Sequence, residues 1–338
     1  MPDLKRRLTT FLEKRGFSNE IEELHPDAST RGYFRVWRDG GSAVACVYPQ
    51  PSDPAVGIYI DVTELFLAGG LPVADIIDCD PVQAVVIEED LGDRILRDEI
   101  LTADATRKND LLDKAIGLIA RIQGTTQLAY ERGSIASRLK FDTEKLSWEL
   151  DYFKTHYFTT LRGKPLSREK DDSLSGEFAE LSAELETYAT VLCHRDFHSA
   201  NLMVDTHGRL RIIDHQDARI GSAAYDLVSL LLDRITELPD EEWLDSKRRL
   251  FMTELAESGM REISKTAFLY EFRLQTIQRC LKAAGTFSYQ SAVRGKTHFV
   301  PFIEPMFKVA LSAANEIERF PILRNVLEGE IQSPAFSQ

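Results

Sequence analysis

One stretch constrains this chain more than any other: residues 191–217, VLCHRDFHSANLMVDTHGRLRIIDHQD. Its apolar runs, VLC, NLMV and LRII, are too short for amphipathic helices, and polar loops separate them. Such a pattern predicts short strands joined by tight loops. If the later runs pair as a hairpin, His194–Asn201 and Asp214–Asp217 lie side by side at strand ends, which brings Asp196, Asn201 and Asp214 together. An aspartate, an asparagine five residues on and a second aspartate after an apolar strand suit phosphoryl transfer. One carboxylate orients the attacking hydroxyl and accepts its proton, while an amide and the other carboxylate offer hard oxygens to Mg²⁺. Positioning and charge neutralisation carry such a reaction.

The rest of the chain sets that centre in context. At 338 residues it is about twice the ~150 typical of one domain, so two lobes are expected. Residues 1–90 read as α+β. An amphipathic helix places Leu4, Leu8, Phe11 and Leu12 on one face. Strands are predicted at 33–37 and 43–48 around the turn Asp39-Gly40-Gly41, a helix at 55–68 ended by Gly69-Gly70, and strands at 73–77 and 82–87. The run Glu88-Glu89-Asp90-Leu91-Gly92-Asp93 reads as a connector. Beyond it the chain is mostly helical, with a polar surface loop predicted over 160–176. The expected fold class is α+β, with a β-rich nucleotide-binding lobe at 1–90 and a helical catalytic and substrate-binding lobe at 91–338.

Composition narrows the function. The net charge of −13 disfavours a nucleic-acid partner, since phosphates need a basic face. No apolar run approaches the ~20 residues of a membrane span. The N-terminus has no apolar signal-peptide core, and Cys46, Cys79, Cys193 and Cys280 form no CxxC. A soluble, cytoplasmic enzyme is expected.

HRDFHSAN resembles the HxDxxxxN motif of the kinase-like superfamily, and IIDHQD stands where that superfamily has its metal-binding aspartate. Histidine at position 198 is the form found in aminoglycoside and choline kinases. The resemblance implies a protein-kinase-like bilobal fold, with Asp196 as catalytic base and Asn201 and Asp214 on Mg²⁺. Asp226, in AAYDLVSLL, would be the buried brace of the catalytic loop, and His194 a packing residue. The competing reading of His194, His198 and His215 as zinc ligands fits poorly, because the stretch reads strand–loop–strand. Asp217 either touches substrate or caps a turn.

The resemblance also places ATP between the lobes. The backbone of Glu89–Leu91 would hold adenine, and the loop Asp27–Tyr33 the phosphates. The superfamily's strand lysine is missing, since no lysine occurs between Lys14 and Lys108. Glu64 fits the helix glutamate that normally pairs with it, and Arg31 or Arg35 is the candidate replacement cation.

Within the superfamily, ASTRGYFRV, EEDLGDR, HRDFHSANLMV, IIDHQDARIGSAAYDLVSLL and RLQTIQRCLKAAGTF resemble the kinases that phosphorylate N-acetylmuramate and N-acetylglucosamine at C1 in cell-wall recycling. These kinases commonly lack the strand lysine too. Ala200, where that branch usually has arginine, and His215, in place of an aromatic, are departures. The implied partner is a small sugar and the implied cofactors are ATP and Mg²⁺. Residues 270–300 carry Arg273, Arg279, Lys282, Arg294 and Lys296 against Glu271 alone, a bias that suits an anionic acceptor, with Arg279 as the substrate candidate. The alternatives are an aminoglycoside or other small-alcohol phosphotransferase, and a non-catalytic nucleotide-binding regulator.

Overall fold

The computed structural model describes residues 2–18, 20–24, 30–260 and 263–332. The chain forms two compact units: Met1–Leu111 with Gln127–Ile135 and Ser199–Ala218, and Leu112–Thr126 with Ala136–His198 and Arg219–Gln338.

The first unit is built on an antiparallel sheet of β1 (Ile21–Leu24), β2 (Gly32–Arg38), β3 (Gly41–Val47), β4 (Ile76–Asp80) and β5 (Val85–Glu89), in the order β1-β2-β3-β5-β4. Asp39 and Gly40 both have positive φ, 52° and 80°, as a tight β2–β3 hairpin turn requires. Period-two alternation aims Phe34, Val36, Ala43, Ala45, Val47, Val85 and Ile87 at one face. There they pack on Leu4, Leu8, Phe11 and Leu12 of α1 (Pro2–Arg15). The opposite face carries Cys46, Tyr48 and Val86, covered by Val56 and Tyr59 of α2 (Ala55–Ala68).

Several expectations need adjusting. The fourth and fifth strands begin about three residues later than predicted, the fifth because Pro81 opens a turn before it in which Ala84 has φ 54°. Glu88 and Glu89 therefore belong to β5, paired with Val44 and Ala43, and not to a connector. Val73 instead makes an isolated parallel bridge to Ile212.

Four short strands follow: β6 (Val191–Cys193), β7 (Leu202–Val204), β8 (Leu210–Ile212) and β9 (Arg219–Gly221). β7 and β8 form the expected hairpin, whereas β6 pairs with β9. The hairpin belongs to the first unit. Val204 N–H donates to the Arg94 carbonyl at 2.8 Å and Ile212 N–H to that of Pro72 at 2.9 Å. The units therefore do not follow one cut after residue 90, and the boundary falls inside the His194–Asn201 loop, between His198 and Ser199.

The second unit is mainly helical. Its principal helices are α3 (Thr143–Lys154), α4 (Arg168–Tyr188), α5 (Tyr225–Leu232), α6 (Lys265–Ala292) and α7 (Ile303–Glu316), and a π-helical segment, Thr155–Leu161, continues α3. At Gly285 of α6 an added Cβ would fall 2.7 Å from the Phe153 Cα of α3, so only glycine lets these helices approach so closely. The loop predicted over 160–176 is shorter, because Ser167 caps α4 from Arg168 onward. The first buried residue of α4 is Leu174, so its first turns carry no apolar periodicity to betray a helix. No helix among the described residues is long and apolar enough to cross a membrane.

Candidate active site

In the second unit, β6 delivers the chain into the turn that carries Asp196. Arg195 has φ 87°, a left-handed conformation that a side-chain-bearing residue adopts only when its surroundings impose it. Asp226 at the start of α5 imposes it. Its fully buried carboxylate accepts the His194 N–H at 2.6 Å and the Arg195 N–H at 3.0 Å. Burial lifts the Asp226 pKa, and the opposing pull of His194 and these two N–H groups limits the rise. The buried His194 ring meets Phe197 edge-on at 5.6 Å.

Three cations surround Asp196. Lys282 Nζ donates to it at 2.9 Å, and Arg279 and Arg195 each lie 3.7 Å away. Burial alone would raise the Asp196 pKa, but Lys282, Arg195 and Arg279 hold it well below the usual carboxylate range. Arg279 donates to Ser229 Oγ at 2.6 Å and lies over the Tyr225 ring at 5.3 Å. The sequence points to Arg279 as the substrate candidate and to Lys282 only as one of the basic residues of 270–300.

In the first unit, the β7–β8 hairpin carries Asn201 and Asp214 at adjacent ends. Ile213 N–H donates to the Asn201 carbonyl at 3.1 Å, and the Asn201 amide reaches the Asp214 carboxylate at 3.5 Å. Asp214 has φ 60°, a second strained position. Its carboxylate also accepts from Gln216 at 2.8 Å and Arg31 at 3.0 Å, and its side chain is 40% exposed. An amide and a partly exposed carboxylate this close are a donor set that fits Mg²⁺, which prefers hard oxygens and keeps several positions for water and phosphate. Asp217 lies in the turn closed by the Ala218 N–H on the His215 carbonyl at 3.1 Å.

His215 is buried, stacked on Phe66 at 5.2 Å, with Nε2 2.7 Å from Thr63 Oγ1. The Thr63 hydroxyl also lies 2.7 Å from the Tyr59 carbonyl, to which it donates. His194 and His215 are both buried and lie in different units. Among the described residues no three His, Cys, Asp or Glu side chains are grouped to hold a metal ion.

On the sheet, Arg31 stands just before β2, with its guanidinium over the Tyr33 and Tyr48 rings at 5.5 and 5.6 Å and its head on Asp214. Burial works against its charge, but the groups around it, Tyr33 and Asp214 among them, raise its pKa overall. Arg35 is committed elsewhere, to Asp90 at 2.7 Å, Asp93 at 2.6 Å and Glu22 at 3.3 Å. Glu64 does not play the role expected of it. It is exposed on the outer face of α2, 3.9 Å from Arg132, because Tyr59, Val62, Thr63 and Phe66 occupy the buried face. The carboxylate on the Arg31 side is Glu88, which accepts a short hydrogen bond from Tyr59 and whose pKa burial pushes up to about 7. Its sequence signal was parity: Glu88 follows Val86 by two residues and so shares its apolar face.

Glu89 closes β5. Its N–H donates to the Asp75 carbonyl at 2.9 Å and its carboxylate pairs with Arg211, so these groups serve the fold. Leu91, two residues on, is half-buried and lies beyond the strand. Of the phosphate-loop stretch 27–33, residues 27–29 lie outside the described residues.

The chain can be set beside known proteins. Residues 20–262 match the phosphotransferase enzyme family, and the chain belongs to it. A protein of Neisseria meningitidis serogroup B named N-acetylmuramate/N-acetylglucosamine kinase is 29% identical over 301 residues, covering 89% of this chain and 86% of its own. A choline kinase of Streptococcus pneumoniae has a TM-score of 0.60 at 13% identity, covering 91% of this chain and 99% of its own. An aminoglycoside phosphotransferase of Streptomyces rimosus, solved with ADP and streptomycin, has a TM-score of 0.55 at 19% identity, covering 84% and 98%. The fold class is α+β and protein-kinase-like, and the chain is a phosphotransferase.

Proposed function

We propose that this enzyme is an ATP- and Mg²⁺-dependent kinase of the cytoplasm that phosphorylates the anomeric hydroxyl of N-acetylmuramate or N-acetylglucosamine. The observation that carries the reading is the likeness to the Neisseria meningitidis kinase over 89% of this chain. The site chemistry agrees with it. Three cations on one carboxylate favour a neutral or anionic acceptor and disfavour a polycationic aminoglycoside.

Asp196, kept anionic by its cations, would orient the acceptor hydroxyl and receive its proton as the oxygen attacks the γ-phosphorus and the bond to the ADP oxygen breaks. A carboxylate with so low a pKa is a weak base, which suits a loose transition state in which proton transfer comes late. Asp226 would fix Asp196 by holding the preceding turn. Asn201 and Asp214 would hold Mg²⁺, which neutralises charge on the phosphates when bound. Arg31 would turn from Asp214 towards the phosphates, replacing the missing lysine, and the backbone near Leu91 would receive the adenine.

The test is ADP release from Mg-ATP with N-acetylmuramate, N-acetylglucosamine and kanamycin in parallel, with Asp196→Asn as control. Turnover with either sugar that the variant loses supports the proposal. Turnover with kanamycin alone contradicts the acceptor, and ATP binding without transfer to any acceptor contradicts the mechanism.

A further inference from the structure

Lys282, Thr286 and Tyr289 stand at i, i+4 and i+7 on α6 and therefore share one stripe of that helix. At one end Lys282 holds Asp196 at 2.9 Å. At the other the Tyr289 ring meets Tyr152 at 5.9 Å and His156 at 5.0 Å. Tyr152 also contacts Trp148 at 5.4 Å, and Trp148 is 56% exposed. Trp148, Tyr152 and His156 repeat every four residues along α3 and its π-helical continuation, so they form a second stripe facing the first. Gly285 brings the two helices together between these ends. Seven residues of helix span ~10 Å, about the length of a substituted monosaccharide.

Charge along this face is uneven. Asp196 meets Lys282, Arg279 and Arg195, and Asp233 also acts on Arg279, whereas buried Glu149 pairs with Lys145 at 3.5 Å and accepts from Gln278 at 2.9 Å. Lys282 thus stands directly on the carboxylate that would orient the acceptor hydroxyl. Arg279 cannot follow a ligand, being fixed by Ser229 and the Tyr225 ring with 6% of its side chain exposed. Lys282 can, since its ammonium is a single mobile point charge on a flexible stem.

We propose that Lys282 is the specificity-determining residue of the acceptor subsite: it leaves Asp196 to bind the carboxylate of an acidic amino sugar, while Tyr152 and Tyr289 line the sugar ring. This rests on the amino-sugar kinase reading above. In N-acetylmuramate the lactyl carboxylate hangs from C3 and the reacting hydroxyl from C1, two bonds apart around the ring. The group that receives the carboxylate must then lie within a few ångströms of Asp196, as Lys282 does. N-acetylglucosamine lacks the carboxylate and makes no such contact.

The experiment compares kcat/KM for N-acetylmuramate and N-acetylglucosamine in wild type, Lys282→Met, Lys282→Arg and Tyr289→Ala, with folding checked by circular dichroism. The ratio of acidic to neutral sugar should fall at least tenfold in Lys282→Met, through KM for the acidic sugar, as loss of a charge-assisted bond implies. Lys282→Arg should restore part of the ratio. Tyr289→Ala should raise KM for both sugars by a similar factor and leave the ratio unchanged. An equal loss for both sugars in Lys282→Met would assign Lys282 to Asp196 or to phosphate and overturn the inference, while leaving the sugar-kinase reading intact. A wild-type enzyme that turns over neither sugar would overturn both.

Discussion

Replacing Asp226 with asparagine isolates the brace on the catalytic turn. The carboxylate accepts two buried N–H groups, at 2.6 and 3.0 Å, and holds Arg195 at φ 87°. Asparagine keeps the shape but offers one oxygen and one NH₂, so one of the two N–H groups faces a donor. Losing a hydrogen bond to a charged acceptor removes about 1.5–3 kcal/mol, and the orphaned donor costs about 1 kcal/mol or more. Removing a buried charge offsets part of this, because burial already disfavours the ionised Asp226. The expected net loss is about 2–4 kcal/mol, a large share of the ~5–15 kcal/mol typical of a folded domain. Urea unfolding followed by tryptophan fluorescence should show a lower midpoint at unchanged slope. Amide exchange at His194 and Arg195 should accelerate while β6 stays protected, and kcat should fall more than KM rises, because Asp196 follows the released turn. A stability loss below about 0.5 kcal/mol with unchanged exchange at both amides would refute the bracing argument.

Other perturbations reach different parts of the chain. Glu88 has its folded pKa raised from 4.5 to about 7, so its stabilising contribution is full below pH 4.5 and is lost as pH rises through 7. The stability of wild type relative to Glu88→Gln should therefore fall by up to about 3 kcal/mol between pH 4.5 and 8, and a pH-independent difference would contradict the burial of this carboxylate. Arg31→Met should raise KM for ATP at least tenfold with little change in KM for the sugar; an unchanged ATP KM would remove Arg31 from the phosphate site. Gly285→Ala should destabilise the protein by about 1–3 kcal/mol by pushing α6 from Phe153, measured as a fall in Tm.

The sequence revealed most where spacing alone fixes geometry. A hairpin of two short apolar runs leaves no freedom about where Asn201 and Asp214 go, and they meet at 3.5 Å. The Asp39-Gly40 turn was legible for the same reason, as both residues need positive φ. Partners set by tertiary packing were not. Lys282 lies 86 residues from Asp196, and that Glu88 and not Glu64 lies on the Arg31 side depended on which face of α2 is buried and on where β5 starts. The aromatic stripe of Trp148, Tyr152 and His156 has helical spacing, but it also crosses into a π-helical segment that no periodicity announces. α4 was hidden in its first turns because a helix face with nothing to pack against looks like a loop.

The most direct test of the central claim is the identity of the product. Wild-type enzyme incubated with Mg-ATP and N-acetylmuramate or N-acetylglucosamine should yield a sugar phosphate whose phosphorus couples to the anomeric proton in NMR, with the reducing end consumed in step with ADP release and no product from Asp196→Asn. A phosphate found on any other hydroxyl, or an unchanged yield from Asp196→Asn, would contradict it.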